Sequence, residues 1–175
     1  MPMNSGSGAE SQNTPSISTR PVEPHDASFL LELYASTRDE ELAQVPWTTE
    51  QKQAFVSMQF AAQQDHYRKK YPDATHEIIL ADEEPIGQIY VARLKDEIRI
   101  IDFTVRHNQR NAGVGSFQLR RLLREAETVG KVVRIYVEEF NPSLRLFERM
   151  GFNPIATEGM NLLLEWTSNG TATHE

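Results

Sequence analysis

Hydrophobic and polar residues follow two different periods along this chain, and both are clearest between residues 98 and 152. Apolar residues three and four apart, which mark one face of a helix, predict helices at residues 26–37, 48–71, 116–129 and 141–151. Runs rich in β-branched and aromatic residues predict strands at residues 17–22, 77–81, 86–93, 98–105, 132–137 and 161–166. This order of elements predicts one mixed α/β domain.

The first two predicted helices carry recognisable start signals. Asp26 is a good N-cap residue, and the apolar face that follows it consists of Phe29, Leu30, Leu33 and Tyr34. Thr48, with Gln51 three residues later, makes a capping box at the start of the second helix. The buried face of that helix is predicted to consist of Phe55, Met58 and Ala62. Residues 38–47, between the two helices, are predicted to form an irregular linker.

The strands are predicted to build a twisted, mostly antiparallel sheet. Strands 77–81 and 86–93 pair as a hairpin, and strand 98–105 extends the hairpin to a three-stranded meander. Strand 132–137 must run parallel to strand 98–105, because a helix crosses over between them in the right-handed sense.

Two details of the predicted strands bear on function. The adjacent Ile100 and Ile101 interrupt the alternation, which indicates either a bulge, often found beside active sites, or a central strand buried on both faces. Strand 161–166 is predicted to be an exposed edge that can pair with a second copy in a homodimer.

A glycine-containing turn joins strand 98–105 to the helix at 116–129. Its residues are Arg110, Asn111, Ala112, Gly113, Val114, Gly115 and Ser116. Where a strand becomes a helix, free backbone N–H groups and the positive end of the helix dipole point at one spot, and glycines let a ligand approach closely. The turn therefore predicts an anion site, with an ordinary strand–helix connector as the alternative.

Charge favours a ligand at this turn. The chain carries a net charge of −7, yet residues 106–134 contain seven basic and two acidic residues. A positive region in an acidic protein suits a polyphosphorylated small molecule, whereas a solvated, salt-bridged helix face is the alternative explanation. The acidic balance of the whole chain argues against nucleic acid as a partner.

Composition limits the remaining possibilities. The chain has no cysteine, and its five histidines lie far apart without the spacing of metal ligands, so no metal site is predicted. Neither an apolar run of membrane-spanning length nor a signal-peptide pattern occurs, which predicts a cytoplasmic protein with no membrane partner. Residues 17–167 are predicted to form the domain, with polar tails at residues 1–16 and 168–175.

Two motifs together resemble the GNAT superfamily of N-acetyltransferases. Its motif Q/R-x-x-G-x-G/A matches Arg110, Gly113 and Gly115, and the preceding strand motif D-L-x-V matches residues 102–105. The second signature, N-x-x-A-x-x-L-Y-x-x-x-G-F, matches residues 141–152. The predicted elements also follow the order of that family.

The resemblance implies an acyltransferase with acetyl-coenzyme A as cosubstrate, bound where the sheet splays between its two central parallel strands. It implies that the backbone of residues 110–116 holds the pyrophosphate. It also implies that Phe103, Thr104 and Val105 pair through their main chain with the pantetheine arm. Asn141 is implied to hydrogen-bond the coenzyme, although a helix cap alone also explains it.

In this family the acceptor amine attacks the thioester directly, so the protein must take a proton from the amine and help the thiolate to leave. The Tyr that usually serves the thiolate is replaced here by Phe147, and the preceding Ala of the signature by Leu144. Tyr136 is therefore a candidate acid, with water as the alternative. Asp102 is the first candidate for the base, and the other candidates are Glu97, Glu138 and Glu139.

The predicted function is N-acetyl transfer to a primary amine of a small molecule or peptide. The alternative is a non-catalytic acyl-coenzyme A-binding module or sensor, for which Phe147 is the discriminating feature.

Overall fold

A computed structural model describes residues 14–109 and 113–168, so the predicted tails lie almost entirely outside the described residues. The described residues form one seven-stranded sheet in the order β1-β2-β3-β4-β5-β7-β6. Its strands are β1 (Ile17–Pro21), β2 (Thr75–Ala81), β3 (Glu84–Arg93), β4 (Glu97–Val105), β5 (Val132–Glu138), β6 (Asn153–Glu158) and β7 (Asn161–Trp166). Strands β4 and β5 are parallel, and the other neighbouring pairs are antiparallel. The predicted mixed, mostly antiparallel sheet is confirmed.

Helices cover both faces of the sheet. They are α1 (Ala27–Ala43), α2 (Thr49–Lys70), α3 (Val114–Val129) and α4 (Leu144–Arg149). The adjacent Ile78 and Ile79 of β2 are both fully buried, and side chains of neighbouring strand residues point to opposite faces. Each face therefore has its own packed layer. None of the helices in the described residues has the length and apolar character needed to cross a membrane.

Helix α1 is longer than predicted. It continues to Ala43, so the predicted irregular linker at residues 38–47 is wrong for its first six residues. The residues of this segment, Asp39, Glu40, Glu41 and Leu42, are compatible with a helix. The segment has no stripe of buried apolar residues, so the hydrophobic pattern alone predicts a loop there. This extension places Arg38 on a helix rather than on a flexible segment.

Helix α2 begins where predicted but buries a different face. Thr48 and Gln51 bond reciprocally, as the capping box requires. The buried residue is Val56, whereas Met58 is 63% exposed and Ala62 is also exposed, so the predicted buried face is wrong for these two residues. The face turned toward the protein carries large polar side chains, which an apolar pattern does not detect.

A bulge in β4 and the separation of β4 from β5 shape the centre of the sheet. Opposite β3, Tyr90 pairs with Asp102 and Val91 with Ile100, which leaves Ile101 as the extra residue of a bulge. The parallel pairing of β4 with β5 ends at Ile100 and Ile135, although both strands continue. Both the predicted bulge and the splay implied by the resemblance are present.

The C-terminal part contains a strand that the sequence pattern did not reveal. Strand β6 (Asn153–Glu158) is exposed along its whole length and pairs with β7. Strand β7 lies between β5 and β6, so the prediction that Asn161–Trp166 is an exposed edge is wrong, and the homodimer contact proposed for it has no free edge there. Because β6 has no buried face, it shows no apolar alternation.

Asp26 stabilises the fold through an ion pair rather than through a helix cap. Its carboxylate accepts two hydrogen bonds from Arg20, at 2.7 and 2.8 Å, and one from the Glu23 backbone, whereas no cap bond to α1 forms. The side chain is 3% exposed. Asp26 thus occupies the predicted N-cap position of α1, but its carboxylate joins β1 to the start of the helix instead of bonding to the helix itself.

The pH dependence of stability is expected to show this ion pair. The hydrogen bonds from Arg20 lower the pKa of Asp26 to about 2, below its unfolded value. The stabilisation is thus complete above the unfolded pKa and is lost as pH falls through the folded pKa. We expect Asp26→Asn to cost about 1–2 kcal/mol at neutral pH and to flatten the unfolding free energy between about pH 4 and pH 2. Urea unfolding of both proteins measured across this range checks the prediction, and parallel curves would contradict it.

Candidate functional site

A cavity of about 430 Å³ opens where β4 and β5 separate. Its floor consists of the C-terminal halves of the two strands, and its walls come from α1, α2 and the segment leading into α4. Ligands of α/β proteins commonly bind beyond the carboxyl ends of diverging strands, so this cavity is the first candidate for the site.

The predicted anion site lies at the start of α3. Gly113 caps the helix in the left-handed conformation, with φ of 78°, and a Cβ placed on it would meet nothing within 4 Å. The first N–H groups of an α-helix have no acceptor within that helix. In α3 these are the N–H groups of Val114, Gly115 and Ser116, and they adjoin the open space at Gly113. The predicted Arg110, Asn111 and Ala112 lie outside the described residues.

Gly115 connects this turn to the cavity. A Cβ at Gly115 would lie 2.9 Å from the Leu146 side chain and 3.6 Å from the Phe103 ring. The absence of a side chain therefore lets α3 approach both α4 and β4. Since Phe103 also lines the cavity, the turn and the cavity are neighbouring parts of one surface.

The basic residues of 106–134 do not all serve the turn. Arg134 pairs with Glu165 at 2.7 Å and with Glu97 at 3.6 Å, and Lys131 donates to the Leu94 carbonyl at 2.7 Å. These two cations lie at the far end of α3 and beyond it. The net positive charge near the turn is therefore smaller than the charge counted along residues 106–134.

The main chain of Phe103 and Thr104 has no strand partner on the β5 side among the described residues. These residues pair with β3 through Ile89 and Gln88, but the pairing of β4 with β5 has already ended. An extended ligand can satisfy backbone groups at such an edge in the way that a further strand does. The predicted main-chain contact with a ligand is thus geometrically open at these two residues.

Asn141 and Phe147 both line the cavity, in different ways. Helix α4 begins at Leu144, so the prediction that Asn141 is its N-cap is wrong. Asn141 Oδ1 instead accepts from the Ser143 backbone N–H at 2.9 Å and from the Ser143 hydroxyl at 2.8 Å, which fixes the turn before α4. Phe147 is 1% exposed and packs edge-to-face on Phe103 and Phe152, so it forms both core and cavity wall.

Asp102 lies in the cavity at the end of a chain of polar side chains that crosses three strands. His76 Nε2 lies 2.6 Å from Gln88 Oε1, and Gln88 Nε2 donates to Asp102 Oδ2 at 3.1 Å. The Thr104 hydroxyl donates to the other carboxylate oxygen at 3.1 Å. Gln88 is 3% exposed, so this network is protected from solvent and fixes the orientation of the Asp102 carboxylate.

Burial raises the pKa of Asp102 above the ordinary value of an aspartate. The hydrogen bond from Thr104 and the positive charge of Arg38 oppose this rise. Burial also lowers the pKa of His76, which keeps its ring neutral. A carboxylate with a raised pKa is a better proton acceptor than a solvated one, so its environment suits a general base.

The other carboxylates proposed as the base are placed less favourably. Glu97 is engaged by Arg99 at 3.1 Å and by Arg134 at 3.6 Å. Glu139 is exposed and does not line the cavity, whereas Glu138 lines it but is half exposed. The structure therefore favours Asp102.

Tyr136, the predicted acid, lines the cavity from β5 and lies 5.1 Å from the Arg99 guanidinium, measured to its ring centre. Three further tyrosines line the same cavity: Tyr34 from α1, Tyr67 from α2, and Tyr71 directly after α2. Burial raises the pKa of Tyr67, so its hydroxyl stays protonated. Sequence reasoning placed Tyr34 in the hydrophobic core and did not identify Tyr67 at all.

Arg38 and Gln63 are the other functional candidates that the sequence did not reveal. Both line the cavity, and each has a buried polar atom, Arg38 Nε and Gln63 Oε1, without a hydrogen-bond partner in the described structure. A helix that continues across residues 34–43 and a stripe of polar residues along α2 are the sequence features that could have revealed them. These features place Arg38 and Gln63 on the faces of their helices that are turned toward the protein.

Comparison with known proteins gives a consistent family and fold. The family model described as "Acetyltransferase (GNAT) family" matches residues 32–152. A search of curated proteins gives no significant match.

Three solved structures illustrate the similarity of fold. An N-acetyltransferase of the PaiA type from Thermoplasma acidophilum, in complex with coenzyme A, is 16% identical with a TM-score of 0.66, over 87% of this chain and 99% of that one. An acetyltransferase from Thermus thermophilus is 17% identical with a TM-score of 0.63, over 88% and 98% of the two chains. A GNAT-family acetyltransferase from Staphylococcus aureus is 13% identical with a TM-score of 0.61, over 87% and 99%.

Proposed function

Because the chain belongs to the GNAT acetyltransferase family, we propose that it transfers an acetyl group from acetyl-coenzyme A to a primary amine of a small molecule or peptide. One observation carries this proposal. The cavity at the splayed strands adjoins an open helix start on one side and contains a partly buried carboxylate, Asp102, on the other. A phosphate-bearing donor and an amine acceptor can therefore meet in one enclosed space.

The described residues fit coenzyme A. The space before Gly113 can admit a pyrophosphate to the N–H groups of Val114, Gly115 and Ser116. The edge of β4 at Phe103 and Thr104, where the pairing with β5 has ended, suits an extended, amide-bearing arm. A neighbour of the same fold was solved with coenzyme A, which supports this assignment. Acetyl-coenzyme A supplies the acetyl group as a thioester, which is activated toward attack by an amine.

Asp102 is proposed to accept the proton of the attacking amine. Gln88 and His76 are positioning residues, since they hold the Asp102 carboxylate through hydrogen bonds and do not face the reacting atoms themselves. The amine nitrogen forms the new bond to the acetyl carbon as the carbon–sulfur bond breaks. One proton passes from nitrogen to Asp102, and the departing sulfur takes a proton from Tyr136 or from water.

The proposal is tested by calorimetric titration with acetyl-coenzyme A, followed on the same sample by thiol release in the presence of primary amines. Saturable binding with amine-dependent thiol release is the expected result. Binding without thiol release for any amine would instead support a non-catalytic coenzyme A-binding sensor. Absence of binding would contradict both functions.

Phe147→Tyr is expected to raise turnover. Phe147 occupies the position where the family usually has a Tyr, and it borders the cavity, so a hydroxyl there can protonate the leaving sulfur. We expect kcat to rise by roughly 3- to 30-fold, less than the roughly 10²- to 10⁴-fold typical of a positioned acid, because Tyr136 or water already supplies a proton. Thiol release at saturating substrates measures the effect. Phe152→Tyr, a change in the same aromatic cluster away from the cavity, is the control, and an unchanged kcat for Phe147→Tyr would show that another group supplies the proton.

A further inference from the structure

We propose that the acceptor is a primary amine that also bears a carboxylate close to the amine, with Arg38 as the carboxylate anchor. This inference rests on the proposed acetyl transfer and narrows its substrate class. The part of the cavity opposite the glycine turn, between α1, α2 and β4, holds the groups that carry it, and we call this part the acceptor pocket. It is defined by Arg38, Gln63, Tyr67, Lys70 and Asp102.

The first observation is an unused hydrogen-bond donor. Arg38 Nε is buried and has no partner, although a guanidinium always carries its charge and five N–H donors. A buried donor without an acceptor costs free energy, so such groups are usually satisfied by a ligand or by water. A carboxylate is the ligand whose two oxygens match the guanidinium fork.

The present partners of Arg38 do not fill this role. Its Nη1 atom lies 3.3 Å from Glu41 and 3.7 Å from Glu138, and these carboxylates are 64% and 51% exposed. Its guanidinium carbon also lies 5.4 Å from the centre of the Tyr34 ring, a contact that gives Nε no acceptor oxygen. Exposed ion pairs of this length are weak and leave Nε free. A substrate carboxylate can therefore add to this arrangement or replace one of its members.

The second observation is an unused acceptor in the same pocket. Gln63 Oε1 is also buried without a partner and lines the same pocket. An amine or ammonium group supplies the N–H that this oxygen lacks. The cationic donor of Arg38 and the neutral acceptor of Gln63, both without a partner, together complement a molecule that carries a carboxylate and an amine.

Charge in the pocket favours the same class of molecule. Besides Arg38, Lys70 lines the pocket, and its acidic group is Asp102; the adjoining cavity wall adds one charge of each sign, Arg99 and Glu138. A polyamine has several cations and no anion, so it would place positive charge against the basic side chains of Arg38 and Lys70.

The geometry also connects recognition to catalysis. Arg38 and Asp102 line the same pocket, and the positive charge of Arg38 opposes the rise that burial causes in the pKa of Asp102. A carboxylate held by Arg38 therefore places a neighbouring amine near the proposed base. An amine without a carboxylate loses this orientation, and the loss appears mainly in KM for the acceptor.

The experiment compares pairs of acceptors that differ in the carboxylate. Thiol release from acetyl-coenzyme A is measured with free amino acids, with the corresponding decarboxylated amines, and with spermidine. We expect at least one amino acid to be acetylated with a kcat/KM at least 10-fold above that of its decarboxylated partner. Equal or better turnover of the decarboxylated amines or of spermidine, or no turnover of any amino acid, overturns the inference.

Two variants identify the residues responsible. Arg38→Gln is expected to raise KM for the amino acid by on the order of 10- to 100-fold, as loss of a charge-assisted hydrogen bond implies, and to remove the preference over the decarboxylated amine. Arg38→Lys keeps the charge and is expected to recover part of the preference. Lys69→Gln on α2, whose lysine pairs with Asp65 and lies outside the pocket, is the control and should leave KM unchanged.

Gln63→Met separates binding from a purely structural role. Because Gln63 Oε1 has no partner, its removal should leave the melting temperature equal or higher while KM for the acceptor rises several-fold. Unchanged acceptor KM in both Arg38→Gln and Gln63→Met overturns the inference.

In every variant the affinity for acetyl-coenzyme A is measured separately. Loss of that affinity is failure of the donor site and would contradict the proposed function, and it is thereby distinguished from failure of the acceptor pocket.

Discussion

Replacement of Gly113 by Asp is expected to abolish coenzyme A binding while the protein stays folded. Gly113 has φ of 78° and open space in front of it, and Asp is among the residues that tolerate the left-handed conformation. Its carboxylate would stand where we place the pyrophosphate. Two like charges about 6 Å apart repel by about 3 kcal/mol near a protein surface, which is roughly a 100-fold loss of affinity.

Two control variants isolate the effect of charge at this turn. Gly159, in the β6–β7 turn, has φ of 61° and likewise no atom within 4 Å of an added Cβ. Gly159→Asp therefore imposes the same backbone strain and the same charge at a residue that does not line the cavity, and it should bind normally. Gly113→Asn adds the size without the charge and should lose less affinity than Gly113→Asp. Calorimetric titration with coenzyme A, with circular dichroism to verify folding, measures all three, and equal affinities of Gly113→Asp and Gly159→Asp would rule out the phosphate assignment.

Asp102→Asn is expected to lower kcat by roughly 10²- to 10⁴-fold, the contribution typical of a positioned base, without weakening coenzyme A binding. Asparagine has nearly the same shape and can still bond with Gln88 and Thr104, so the cavity should be preserved. The amide cannot accept the amine proton. Single-turnover thiol release separates this chemical step from product release.

The pH dependence gives a second test of the same residue. A base acts in its ionised form, and burial raises the pKa of Asp102, so wild-type activity should fall as pH decreases through that raised pKa. Asp102→Asn should lack this acidic limb. Glu138→Gln, at the other carboxylate that lines the cavity, should retain both the rate and the limb. Comparable losses in the two variants, or an unchanged limb in Asp102→Asn, would exclude Asp102 as the base.

The segment from β4 to α4 was largely predictable from the sequence because local rules determine it. Gly130 ends α3 in the left-handed conformation, and Gly151 follows α4 with φ of 94°. The paired isoleucines of β4 marked its bulge. Signals of this kind involve one to three neighbouring residues, so they can be read without knowledge of the tertiary structure.

The acceptor side of the cavity was much less predictable. Arg38, Gln63 and Tyr67 are polar residues on helices whose sequence patterns give little sign of which face is buried. Their burial depends on packing against a sheet that is distant in sequence. The cavity walls from α1 and α2 can therefore be identified only in the assembled fold. Strand β6 likewise could not be predicted from its pattern, because it has no buried residue.

The extra residue in β4 makes the active site depend on the length of one strand. Before the bulge, Ile98 and Ile100 pack in the core, and after it Phe103 and Val105 do so, which leaves Asp102 and Thr104 on the opposite side. In a strand without Ile101, residues at alternate positions would keep one orientation throughout. A point substitution here changes one side chain, but a one-residue deletion would shift the pairing frame of every residue beyond it. Relatives that have diverged widely in sequence can therefore retain the chemistry only if this strand keeps its residue count.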